Sequence, residues 1–485
     1  MNLIVPNGDG THAMNAHSEH ATLVRKCALD ADRTLALAQI SAATEESLQR
    51  DGAGLRLSDS DLAGLDLAGF DLRGANLNRA RLYGTDLTGA NLSGASLICS
   101  GIERTTFRKA DLSRAYVHAF SAQISDFTDA NLIGLVDATG GLFHGCTLDR
   151  AHFDGSTLAG ISFYQCSLTA ASFCGCTLQG AIFGESSVSH ASFKGAELSQ
   201  AVFTKCNLSG STFARATGRG LVLQRLTGCD DVDLSGARLP LLRMVDLRLR
   251  NLCADGIEAS AADVVGCVLV DVSFAHASLE RSRWIDTMAR EATFDGAVVC
   301  SASFNRCDFS GASMSALKGE NVYFEETRLD NCDMQGLMGR HSMFRDCSMK
   351  ESNLSGSYLY RASFTGDPMQ SMDMRGSMLR GANLVQAYVA ADLSSSDLSN
   401  AYCAYARFNQ SLLVGASLRG ANIFQASCVK TKFDGADLAG VQFTAFADRC
   451  TGLEEALAAT GDASENLDFL RKLVGVLADR NHRST

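Results

Sequence analysis

The chain has 485 residues, 46% of them apolar, and its 43 basic and 54 acidic side chains leave a net charge of −11. An acidic chain without a basic run interleaved with aromatics is a poor direct nucleic-acid binder. No stretch is long and apolar enough for a membrane-spanning helix, and Met1 to Gly10 has neither the basic start nor the apolar run of a cleaved signal peptide.

In chain order, residues 1–52 are expected to form a helical leader. Its helix runs from about Ser18 to Gln49, with Leu23, Cys27, Leu35 and Ile40 on the apolar face. His12, His17 and His20 lie at its start and fit a solvated segment. The next stretch, residues 53–446, follows another rule. From Leu57 to Phe443 a large apolar residue returns every fifth position with a small residue two before it, as in Ala75-Asn76-Leu77-Asn78-Arg79-Ala80-Arg81-Leu82. That period matches neither the 3.6 of an amphipathic helix nor the 2 of a half-buried strand, so the backbone must turn at every repeat.

The centres hold one register from Leu57 to Leu132, with Ala122 as a weak position. The register then shifts in three places: near residues 133–142, near 224–233 where Cys229, Asp230 and Asp231 interrupt the pattern, and near 389–393. Between Phe143 and Phe213 the centres alternate Phe with Leu or Val. Pro240 and Pro368 fall beside centres, so local bulges or irregular turns are expected there. Residues 447–485 read as C-terminal capping helices: a short one over Leu453 to Ala459, and one over Asn466 to Asn481 with Leu467, Leu470, Val474 and Leu477 at near-heptad spacing. That second helix either covers the last repeat, whose edge and apolar cross-section need covering, or pairs with a second copy as a homodimer.

The unit Ala90-Asn91-Leu92-Ser93-Gly94 resembles the pentapeptide repeat family, and the likeness recurs over most of the chain. It implies an all-β solenoid, a right-handed quadrilateral parallel β-helix with four repeats per coil and the centre and small residue inward. Residues twenty apart should then stack at about 4.8 Å, and Phe should line two opposite walls. Counted in steps of twenty, Cys146, Cys166, Ser186 and Cys206 form one column, and Cys267, Thr287, Cys307, Thr327 and Cys347 another.

Of the 17 cysteines, Cys146, Cys166, Cys176, Cys206, Cys267, Cys307, Cys332 and Cys347 take the small inward position and act as compact buried groups, against a disulfide or metal framework. Cys174-Gly175-Cys176 is no ligand pair, because its two side chains point opposite ways. The glycines recur at the turn after a centre. Nothing in the pattern carries catalysis, a cofactor or a metal, and a thiol-rich chain without a cleaved signal fits the cytoplasm, with export by another route left open.

Function therefore falls to outward residues. Tyr323, Tyr358, Tyr360, Tyr388, Tyr402 and Tyr405 lie off the inward positions in the later repeats and are expected to be exposed, on more than one wall. With Asp230 and Asp231 they are the candidate partner surface, tyrosine being a common interface residue. The expected role is a non-enzymatic scaffold for a protein partner. The opening repeats, Asp61-Leu62-Ala63-Gly64-Leu65-Asp66-Leu67, are similar to those of family members associated with bacterial type VI secretion, which implies an accessory or adaptor. Two further roles follow from the resemblance: a DNA-mimicking protein that binds gyrase, and a secreted effector that binds target-cell proteins. Duplex DNA carries a charge every ~1.7 Å, far denser than the balanced charges here.

Overall fold

The computed structural model describes residues 54–118, 120–367, 372–441 and 445–460. The leader helix, Pro368, Phe443 and the terminal helix with Leu467, Leu470, Val474 and Leu477 lie outside the described residues.

Two compact units divide the chain, residues 1–172 and 173–485, and each is a parallel β solenoid. In the first unit the parallel bridges Asp61↔Arg81, Asp66↔Asp86, Asp71↔Asn91 and Arg56↔Asn76 define four walls, each pairing residues twenty apart. We number the walls first to fourth in that order. The second unit repeats the plan with Asp263↔Arg283, Val268↔Met288, Ser273↔Thr293 and Glu258↔Ser278.

One repeat accounts for its own backbone. Around Leu77, Asn76 N–H donates to Leu55 O in the coil below, while Leu77 N–H and Arg79 N–H donate to Ser96 O and Ile98 O in the coil above. Ala80 N–H closes the turn on Leu77 O at 3.0 Å. Arg79 sits at φ 59°, the left-handed conformation that makes glycine frequent at the equivalent place, as at Gly89 and Gly94. In a repeat of this kind the residue after the centre is the one whose N–H the ladder does not use. Asn78 N–H instead bonds back to Asn76 Oδ1, and Asp61, Asn91 and Asp308 serve Ala63, Ser93 and Ser310 in the same way. Pro240 occupies this slot. Its missing N–H costs the ladder nothing, Gly220 N–H still reaches Pro240 O at 2.9 Å, and the expected bulge does not form.

Inside, the centres pack by wall. Phe173, Phe193 and Phe213 stack on the third wall at 5.0 and 4.8 Å between ring centroids, and Phe183 stacks on Phe203 on the first at 4.4 Å. Across the interior the two stacks meet edge to face, as Phe183 and Phe193 do at 5.6 Å. Where Ala122 is the centre, Phe120 fills the space from the small-residue position and lies 4.8 Å from Phe143.

The small inward positions between the first and second walls have a second task. From Ile102 to Phe364 the turn leaving the first wall lacks its closing N–H bond, so the carbonyl of the centre keeps its ladder donor, as Phe364 O keeps Ala390 N–H, but has no second donor from the turn. One column supplies donors: Cys166 to Phe143 O, Cys206 to Phe183 O, Cys267 to Met244 O, Thr287 to Val264 O and Thr327 to Phe304 O. In each unit the expected Cys/Ser/Thr positions take this place.

Pairing partners locate the register shifts. Tyr116 pairs with Val136 but Ser121 with Leu142, so one residue is inserted between. Val202 pairs with Val222 but Asn207 with Gly228, a second insertion. Here Cys229 does not interrupt the wall: it is buried in a centre's place and its Sγ–H donates to Arg248 O, while Leu226 is displaced to a half-exposed position. A third change keeps the five-residue phase. Ser348, Asn353 and Tyr358 pair with Asp373, Met378 and Asn383, twenty-five residues on, so the spacing of paired residues grows by one whole repeat between Thr365 and Met372. Met378 then pairs with Asp397, one residue short of twenty. After the last described coil, helix α1 (Leu453–Ala458) lays Leu453, Ala456 and Leu457 inward.

Candidate functional site

The five-residue excursion decides which outward side chains share a wall. Met338, Tyr358, Asn383, Tyr402 and Asn422 follow one another up the bridge column of the fourth wall. In the two positions after each centre the same wall carries Arg340 and His341, Tyr360 and Arg361, Val385 and Gln386, Ala404 and Tyr405, then Phe424 and Gln425. Four of the six candidate tyrosines therefore stand on one wall of five coils, and no described residue of that wall from Met338 to Gln425 is a carboxylate.

Most of this surface is open. Tyr402 is 57% exposed, Met338 50%, Tyr405 47%, and Tyr358 and Phe424 41% each. Tyr405 meets Phe424 edge to face at 5.7 Å, so these rings already form an apolar ledge. Tyr360 is half-buried and anchored, with Arg340 and Arg361 over its ring at 5.6 and 5.1 Å. Its hydroxyl donates to Gln386 Oε1 at 3.0 Å, and Arg361 Nε donates to the same oxygen at 2.6 Å. His341 packs its ring edge against Tyr360 at 5.9 Å. A fixed cation–aromatic cluster thus adjoins an exposed aromatic ledge.

The other candidates stand apart. Tyr388 and Tyr323 belong to the first wall, in the column Tyr323, Met343, Ser363, Tyr388. Tyr388 lies just beyond Gln386 and borders the fourth wall, whereas Tyr323 is half-buried beside Glu325, and burial pushes its phenol pKa up. Asp230 and Asp231 are exposed on the second wall many coils earlier. Asp230 pairs in the ladder with Arg250, and Asp231 accepts from Asn251 Nδ2 at 2.9 Å. They share no surface with the tyrosines. Met338, Arg340 and Phe424 were not among the sequence candidates. The signal for them was the lack of Asp and Glu at outward positions of one wall, visible only once the wall assignment is right.

Elsewhere the charges interleave. Asp263 lies between Arg243 and Arg283, Asp308 between Arg290 and Arg328, and Asp373 beside Lys350 and Arg375. Arg243 is thereby on the first wall and Arg248 and Arg250 on the second, not one basic cluster. Among the described residues no group of His, Cys, Asp and Glu is placed to hold a metal, and no helix is long and apolar enough to cross a membrane.

The model for a pentapeptide repeat region matches residues 146–222, and that for pentapeptide repeats in eight copies matches 56–94, 75–114, 320–356, 391–427 and 401–440. Among solved structures, HetL, a pentapeptide repeat protein involved in heterocyst differentiation regulation in Nostoc sp. strain PCC 7120, is 21% identical over 62% of this chain and 88% of its own, with a TM-score of 0.17. QnrB1, a plasmid-mediated fluoroquinolone resistance protein, is 18% identical over 44% of this chain and 84% of its own, with a TM-score of 0.20. A pentapeptide repeat protein of the Arabidopsis thaliana thylakoid lumen is 22% identical over 29% and 66%, with a TM-score of 0.10. No curated protein matches the chain. The matched segments, with the four-walled coil built on the five-residue period, place this chain in the pentapeptide repeat family.

Proposed function

We propose that the chain is a non-enzymatic interaction scaffold that docks a protein partner on the fourth wall between Met338 and Phe424. The observation that carries this reading is the gathering of Tyr358, Tyr360, Tyr402, Tyr405 and Phe424 on one acid-free wall of a chain whose net charge is −11. Exposed aromatics beside arginine are the side chains that dominate interface energetics. A solenoid wall holds them on paired backbone, so little ordering cost accompanies binding. A photo-crosslinking residue at Tyr402, expressed in the native cell, should give a discrete protein adduct that a crosslinker at Ser355 on the third wall does not. The adduct should fade when Tyr358 and Tyr405 are replaced by Ala. The same adducts from both walls, or none from Tyr402, would refute the assignment.

A DNA-mimicking, gyrase-directed role asks for one wall of a single sign. The longest acid-only run on a described wall of the second unit is on the third, where Asp233, Asp255, Asp295 and Asp333 are the carboxylates up to Asn353. Six steps of ~4.8 Å span about 29 Å, over which duplex DNA carries roughly seventeen charges. Four carboxylates fall well short. Purified protein at micromolar concentration is expected to leave gyrase supercoiling unchanged. A place in type VI secretion rests on the texture of the opening repeats alone, and recovery of secretion-apparatus proteins in the Tyr402 adduct would support it.

A further inference from the structure

Resting on the docking face just proposed, we infer that its ligand is a short acidic segment of a protein, with carboxylates against Arg340, Arg361 and Arg407 and apolar side chains against Tyr402, Tyr405 and Phe424. The geometry carries this in two steps. In the same coils Arg328, Arg345, Arg375 and Arg380 each lie within ion-pair distance of a carboxylate. Arg340 and Arg361 on the fourth wall, and Arg407 next to it on the first, have no such partner among the described residues. Arg340 and Arg361 are also held: both lie over the Tyr360 ring, and Arg361 is tied to Gln386, so their guanidinium groups are in place before a ligand arrives. A docking partner that covered them without supplying anions would bury unpaired charge, which costs more than an ordinary interface returns.

The second step concerns how far the positive character extends. Of the two neighbouring walls, the third carries Asp333 and Asp397 and the first Glu325 and Asp346. A long polyanion would cross those carboxylates, whereas a segment of about three or four helical turns or about six extended residues, enough to span the roughly 19 Å from Arg340 to Phe424, meets only the acid-free wall. The chemistry therefore favours an acidic peptide over single-stranded nucleic acid, although both stack on aromatics and pair with arginine. The ledge of Tyr405 and Phe424, in contact at 5.7 Å, supplies the apolar half of the recognition, set two to three coils, about 10–14 Å, up the wall from the cationic half.

The test uses the full chain and fluorescence anisotropy with three labelled probes: a roughly twelve-residue peptide with Glu interspersed among Leu, its Glu→Gln counterpart, and oligothymidylate of similar length. At about 50 mM salt the Glu peptide is expected to bind about tenfold or more tighter than the Gln peptide, with the difference shrinking at about 500 mM. Arg340→Ala with Arg361→Ala should erase that difference, and Tyr402→Ala with Phe424→Ala should weaken both peptides alike. Circular dichroism of each variant checks that these outward changes leave the fold in place. Equal affinity for the Glu and Gln peptides would overturn the acidic-ligand inference while the Tyr402 crosslink could still uphold the docking face. Tighter binding of oligothymidylate than of the Glu peptide, or no peptide binding up to about 200 µM, would also overturn it.

Discussion

At the scale of single residues, the column Cys267, Thr287, Cys307, Thr327 and Cys347 shows why these positions alternate between Cys and Thr. The site needs a side chain small enough to sit beside a centre and able to donate to a carbonyl that has lost its turn partner, as Thr287 does to Val264 O. Alanine meets the first need only. Thr287→Val should therefore cost about 1 kcal/mol in urea unfolding, from the loss of one buried hydrogen bond, while Thr287→Ser should cost well under that. A larger loss for Ser than for Val would mean that the column is chosen for volume. The thiols respond to pH as well. Burial pushes the Cys206, Cys267 and Cys307 thiols up to about 11 and Cys347 up to about 12. Their neutral forms fit the fold, so the stability they lend is complete below the ordinary thiol pKa and is lost as pH rises toward about 11. The unfolding midpoint should fall steeply above about pH 9, and less steeply when Cys206 and Cys267 are changed to Ser. At neutral pH, thiol reagents should label exposed Cys99 first and the column only after denaturation.

At the scale of the repeat, the five-residue period made the inward side of the chain legible and left part of the outward side unreadable. Centres, small partners and the two Phe walls follow from residue size alone, because each inward slot has one volume to fill. Removing a ring should be felt strongly: Phe193→Ala breaks stacks with Phe173 and Phe213 and edge contacts with Phe183 and Phe203, and should cost about 3–5 kcal/mol by chemical denaturation. Pro240 misled because an N–H is needed at most positions of a ladder but not at the one after a centre. Cys229 misled because its size is that of a small partner while its place is that of a centre. The extra repeat between Thr365 and Met372 was hidden for a different reason: an insertion of five leaves every later residue in phase, and the pattern looks continuous across it. Counting by twenties, with the later one-residue deletion included, puts Asp397 above Tyr358 and sends Tyr402 to the next wall. In the structure Asn383 stands above Tyr358 and Tyr402 above Asn383.

At the scale of the whole molecule, that extra repeat assembles the face. Without it, the coils carrying Tyr402, Tyr405 and Phe424 would turn by one wall relative to those carrying Tyr358, Tyr360 and Arg361, and the aromatic ledge would lie beside the cationic cluster's wall instead of on it. The inward pattern would be unaffected, since a shift by one whole repeat exchanges one centre for another of similar size. This separates fold from function in a single variant. Deleting residues 367–371 should leave the β signal in circular dichroism intact and the thermal midpoint within about 5 °C of the parent. The same deletion should lower affinity for the Glu-bearing peptide by about tenfold and abolish the Tyr402 adduct, because the two halves of the recognition no longer face the same partner. Full retention of both would mean that one half alone suffices, and that the alignment of Tyr358 with Tyr402 is an accident of spacing. Loss of the fold itself would mean that the extra repeat relieves strain between coils. The intact fold with lost binding is the outcome expected from regular pairing twenty residues apart on either side of the excursion, as Met338 with Tyr358 below it and Leu412 with Lys432 above.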